Sequence, residues 1–135
     1  MTQPTAVDIS VAINRMTSNS SYFAEAYGSL NEEWRPDVPP TTIVFSMLGR
    51  AFCRHANRTT EEQMVAIWKT VEELILNGDD AVKNAVATGF LEAVLSESSA
   101  GRCSISSVSG HFGPATIAYC KAWDEFTGCK TEGVY

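Results

Sequence analysis

The chain has 135 residues, 44% hydrophobic and 19% charged, which fits one globular domain with a single core and excludes a disordered or low-complexity spacer. Its formal net charge of -6, from 16 acidic and 10 basic residues, repels phosphate backbones and anionic membranes, so nucleic acid and membrane surfaces are not expected partners. A basic protein would be attracted by the same field.

The first residues lack the basic and apolar regions of a secretory signal, and no stretch approaches the roughly 18 apolar residues of a membrane span. A cytoplasmic location is expected. Cys53, Cys103, Cys120 and Cys129 form no CxxC pair and match no zinc spacing, so free thiols are expected, with no metal and no cofactor.

In chain order, residues 5–16 carry Val7, Ile9, Val11, Ile13 and Met16, a partly alternating pattern read as a short helix. A second helix is predicted from Ser20 to Trp34, where Tyr22, Phe23, Ala26, Tyr27, Leu30 and Trp34 recur at helical spacing. The prolines at 36, 39 and 40 end it. The next stripe, Ile43, Val44, Met47, Leu48, Ala51, Phe52 and His55, predicts a core-facing helix capped by Thr41 or Thr42. Gly49 inside it implies that another helix passes close to its backbone.

Thr59 and Glu62 read as a capping box opening a helix with the stripe Met64, Ile67, Trp68, Val71, Leu74 and Ile75. Asn77-Gly78 is expected to close it through a left-handed residue. Asp79 and Asp80 then open a helix striped by Val82, Ala85, Val86, Phe90, Ala93 and Val94. So short a connection makes the two an antiparallel helical hairpin of HEAT-like form, although no second copy follows.

Residues 96–110, rich in Ser and Gly, read as a loop packed by Ile105 and Val108. A last helix starts at Gly113-Pro114, runs through Ile117, Cys120, Trp123 and Phe126, and stops at Gly128 before a loose tail. The expected fold is all-α, a compact bundle of five to six helices forming a single domain over residues 1–135.

Catalytic signals are sparse. Cys53 and His55 lie about 200 degrees apart around a helix, on different faces. His111 reads as a residue ordering the turn before the last helix. Adjacent carboxylates on a helix diverge by about 100 degrees, so no such pair converges on one substrate atom. Glu72, Glu73, Asp79 and Asp80 instead flank one hairpin tip and form the best acidic docking cluster. Trp123, Asp124 and Glu125 offer an amphipathic edge with an aromatic anchor, whereas Trp68 reads as core.

The stretches 77–92, NGDDAVKNAVATGFLE, and 113–128, GPATIAYCKAWDEFTG, resemble a family of small bacterial helical proteins, some of them similar to immunity proteins of polymorphic, secreted or contact-delivered toxin systems. The likeness is carried by the C-terminal half; the N-terminal half agrees in helical layout alone. It implies tight binding of a cognate toxin in the cytoplasm and no catalytic residues. The alternatives are a small enzyme using His111, Cys103 and a carboxylate beside the 96–110 loop, or a structural subunit that self-associates.

Overall fold

The computed structural model describes residues 5–128, 131, 133 and 134. Among them are six helices: α1 (Ile9–Ser18), α2 (Ser21–Trp34), α3 (Thr41–His55), α4 (Glu61–Asn77), α5 (80–99) and α6 (Pro114–Thr127). The all-α bundle expected from the periodicity is thus the observed fold. Helix α5 is composite: Asp80–Ala85 is α-helical, Val86–Leu91 is a π-turn and Glu92–Ser99 returns to α geometry. The joints keep right-handed helical dihedrals throughout.

Local chemistry explains each boundary. Asp8 caps α1 by accepting from Val11 N at 2.9 Å. The α4 box lies one residue later than the sequence suggests: Thr60 Oγ1 accepts from Gln63 N at 3.1 Å while Gln63 Oε1 accepts from Thr60 N at 3.1 Å. Thr59 is spent elsewhere, its hydroxyl donating to the His55 carbonyl at 2.8 Å and meeting Tyr22 Oη at 3.0 Å. At α3 the cap position is Pro40, with Thr41 already helical, because the proline carbonyl accepts from Val44 N at 3.1 Å and its fixed φ suits a chain entering a helix.

Gly78 is extended at φ -69°, not left-handed. Its lack of a side chain answers crowding: a Cβ there would lie against Val82 Cγ1 and 2.5 Å from the Leu74 carbonyl oxygen. The hairpin that Gly78 and Asp79 join is present, and α4 packs along the first half of α5. Val7 adds a third strand of contact to this tip, its N–H donating to the Asn77 carbonyl and its carbonyl accepting from Asp79 N, both at 2.9 Å.

The core is organised around Trp68, fully buried on α4. Phe52 and Phe90 meet its ring edge-on at 5.2 and 5.7 Å, geometries that suit the aromatic quadrupole, and Phe112 packs against it tilted, at 4.4 Å. Helix α3 crosses the π-turn of α5 with backbones almost touching. A Cβ on Gly49 would lie 2.6 Å from the Phe90 carbonyl oxygen, and one on Gly89 would lie 2.8 Å from the Thr42 carbonyl oxygen. The close passage implied by Gly49 is therefore observed, and a second glycine completes it.

The segment after α5 is folded, not slack. The helix extends to Ser99, and two short 3-10 turns, Ile105–Ser107 and Ser109–His111, follow; Ile105 and Val108 are buried as their apolar character predicts. The described residues of the C-terminal tail are also tied down, since Thr131 bonds to Asp124 and Ser109 Oγ donates to the Gly133 carbonyl at 2.5 Å. Cys129 lies outside the described residues.

Candidate functional site

The acidic cluster at the α4–α5 tip has carboxylates with work inside the fold. Glu72 projects from α4 to the first turn of α6, where its oxygens accept from Ala115 N at 2.8 Å, Thr116 N at 3.0 Å and Thr116 Oγ1 at 2.9 Å. Pro114 has no N–H to offer, and Gly113 leaves the space that the Glu72 carboxylate fills. This is a helix cap supplied by another helix, with negative charge at the positive end of the macrodipole. Asp79 caps α5, accepting from Val82 N at 2.9 Å. Glu73 is half-buried and Asp80 is exposed. With Val7 threaded across the tip, the four residues do not form one open acidic face.

The second predicted cluster, on α6, divides in the same way. Asp124 is buried, and its oxygens accept from Thr131 N at 2.8 Å and Thr131 Oγ1 at 2.6 Å. Glu125 is exposed, while Trp123 is half-buried in a groove of about 400 Å³ shared with Ser96, Ser99, Ala100 and Thr127. Phe126, expected in the apolar core stripe, is instead 86% exposed. The inward face of α6 is set by buried Thr116, Cys120 and Asp124 at four-residue spacing, and Phe126, about 200° around the helix from Asp124, points away from it. Trp123 and Phe126, three residues apart, are neighbours on the helix surface, beside the exposed carboxylate of Glu125.

Two further grooves line the helices. Between α2 and α3, a groove of about 330 Å³ has Leu30, Met47 and Ala51 in its wall and Glu25, Glu33 and Arg54 at its edge. Another, of about 350 Å³, runs beside the π-turn and includes Arg50, Glu92 and Glu97. There Glu92 accepts from Tyr119 Oη at 3.2 Å, and burial, followed by the Glu92 charge, pushes the Tyr119 phenol up.

The cysteines and histidines occupy separate neighbourhoods. Cys53 faces Cys103 across the junction of α3 and the 103–112 segment. His55 stacks on Tyr22 with ring centroids 4.6 Å apart, so the two residues diverge as their helical phase requires. His111 Nε2 lies 3.5 Å from Glu61. Neither Cys103 nor His111 lines any of these grooves. Among the described residues no group of three or more His, Cys, Asp or Glu is placed to hold a metal ion, and no helix is long and apolar enough to cross a membrane.

Sequence reasoning missed two parts of this surface. Phe126 was hidden by its regular spacing from Trp123, and the bond from Glu72 to α6 joins positions far apart in the chain, with only Gly113-Pro114 as a local signal. No curated protein and no solved structure matches the chain. The family described as Domain of unknown function (DUF7674) matches residues 13–125, from within α1 almost to the end of α6, and the chain belongs to that family.

Proposed function

We propose that this protein is a binding module of the immunity class, which neutralises a cognate bacterial toxin in the cytoplasm by occluding it, and that the end of α6 is its docking face. The observation that carries the reading is Phe126, an aromatic side chain 86% exposed one turn from half-buried Trp123. Large apolar groups left in water beside a partly buried aromatic are what interface centres are made of. Exposed Glu125 and the net charge of -6 favour a basic partner, with a gain in encounter rate as the consequence. Occlusion needs no chemistry from the binder, so the reading requires no catalytic constellation. The three described cysteines are free thiols, as suits a reducing compartment.

The test is copurification with the toxin domain encoded beside this gene, together with survival of cells expressing that domain. Phe126→Ala should weaken binding by about tenfold or more, the loss typical of an interface anchor, while leaving the fold intact. Charge reversal at Asp80 measures the alternative docking face at the hairpin tip. If neither substitution changes affinity, both faces are ruled out; if cells are not protected, the immunity reading falls.

The same exposed aromatic favours one other reading, in which α6 meets a second copy of this chain. Light scattering on the isolated protein separates the two: a dimer lost in Phe126→Ala supports self-association, and a monomer supports an external partner.

A further inference from the structure

The end of α5 is built to aim one cysteine at another. Gly101, left-handed at φ 78°, turns the chain back: its N–H donates to the Ser98 carbonyl at 3.0 Å, and Arg102 N donates to the Glu97 carbonyl at 2.8 Å. That pair of bonds is a Schellman cap. The side chains of Arg102 and Glu97 repeat the connection, Nε and Nη2 donating to the two carboxylate oxygens at 2.6 and 3.2 Å. Two independent ties thus fix the residue that follows, Cys103. It is 8% exposed, and its interaction partner is Cys53 of α3, itself 9% exposed. Neither is covalently bonded. Cys120 is buried separately on α6 beside Asp124, and burial pushes its thiol up to about 11.

We propose that Cys53 and Cys103 form a reversible redox site, which closes to a disulfide by exchange with a small-molecule disulfide and staples the 103–112 segment to α3. Their interaction makes the two thiols unequal. Cys103 is held below the ordinary thiol value because Cys53 donates to it, against the opposing effects of burial and Glu97, and Cys53 is pushed up. Cys103 is therefore the attacking group.

Its thiolate displaces one half of the small disulfide, forming a mixed disulfide and releasing one thiolate, which takes a proton from water. Cys53 then loses its proton to solvent and attacks the Cys103 sulfur. The mixed bond breaks and the second small thiol leaves. Two protein thiols and one small disulfide become one internal disulfide and two small thiols, with two electrons passed to the oxidant.

Oxidised glutathione is the probe. The folded, unmutated protein is incubated with it, remaining thiols are alkylated, and the digest is mapped by mass spectrometry. The expected result is a peptide containing Cys53 cross-linked to one containing Cys103, lost completely on reduction, with a higher Tm for the oxidised form because the bond joins parts of the chain far apart in sequence. A lasting glutathione adduct without the cross-link would overturn the proposal. So would full alkylation of both cysteines after oxidation, a cross-link formed only in denaturant, or an unchanged Tm. Because the pair is read directly on the natural sequence, no core substitution can confuse a folding defect with a chemical one.

Discussion

One oxygen of the Glu72 carboxylate accepts both the backbone N–H and the hydroxyl of fully buried Thr116, at 3.0 and 2.9 Å. Through this contact α4 supplies the cap that α6 lacks, since Gly113 at its cap position has no side chain to offer. The helix therefore depends on a residue 44 positions away.

Removing that carboxylate leaves amide donors of the first turn, and a buried hydroxyl, without their acceptor. Glu72→Ala should cost about 2–3 kcal/mol, the range for charged hydrogen bonds with buried partners. Glu72→Gln keeps one acceptor oxygen but turns an N–H2 group toward the amides, so it should fall between the two. Urea unfolding measures both. A loss no greater than for Asp80→Ala, on an exposed carboxylate, would show that the bridge adds nothing to stability.

The crossing of α3 over the π-turn makes an opposite pair of predictions for glycines. Gly49→Ala and Gly89→Ala should each cost about 1–3 kcal/mol, because the new methyl meets carbonyl oxygens of the facing backbone that cannot give way. Gly28 lies within α2 with nothing inside 4 Å of its would-be Cβ, and Gly28→Ala should stabilise by about 0.5–1 kcal/mol through helix propensity. Thermal unfolding of the three variants gives the comparison. Similar losses at all three sites would remove close packing as the cause.

Much of this architecture was legible because a 3.6-residue period records burial directly. Met64, Ile67, Trp68, Val71 and Leu74 mark the buried face of α4 in sequence and are buried in the fold. The π-turn was not legible: residues 86–91 keep an ordinary apolar pattern, and the widened turn lies where the α3 backbone passes closest. Phe126 shows the converse limit. A strict three-residue step drifts about 60° around the helix each time, so the series Ile117, Cys120, Trp123, Phe126 rotates off the face that Thr116, Cys120 and Asp124 bury. The two predicted clusters divide between surface and interior for a third reason, because a carboxylate such as Glu72 or Asp124 reads identically in sequence whether it faces water or bonds inside the fold.

The start of α4 tests how fine such a reading can be. Residues 59–63, Thr-Thr-Glu-Glu-Gln, hold two overlapping boxes, and the structure selects the second. Thr60→Ala should therefore lose about 1 kcal/mol, the usual value for a cap hydroxyl. Thr59→Ala should leave the helix start unchanged and instead loosen the contact with Tyr22 and the His55 carbonyl. Hydrogen exchange of the Gln63 amide tells them apart: it should quicken in Thr60→Ala only. Faster exchange of the Glu62 amide in Thr59→Ala, with Gln63 unchanged in Thr60→Ala, would return the cap to the earlier threonine.

The Glu97–Arg102 pair adds a dependence on pH whose sign follows from the direction of the shift. Hydrogen bonding from Arg102 holds the Glu97 carboxyl below its ordinary value against the effect of burial, and the charges of Arg102, Arg50 and Arg54 act in the same sense. A carboxyl more acidic in the folded than in the unfolded chain stabilises the fold fully above its unfolded value, near 4.3. That contribution is lost as pH falls through the lower, folded value. Arg102→Ala should thus unfold at lower urea than the natural chain at neutral pH, and the gap should close as the solution is acidified. High salt should narrow it too, since the Arg102 side chain is 64% exposed and its charge is screened. A gap that persists unchanged at low pH would mean that Arg102 acts through packing and the backbone turn at Gly101, not through its charge.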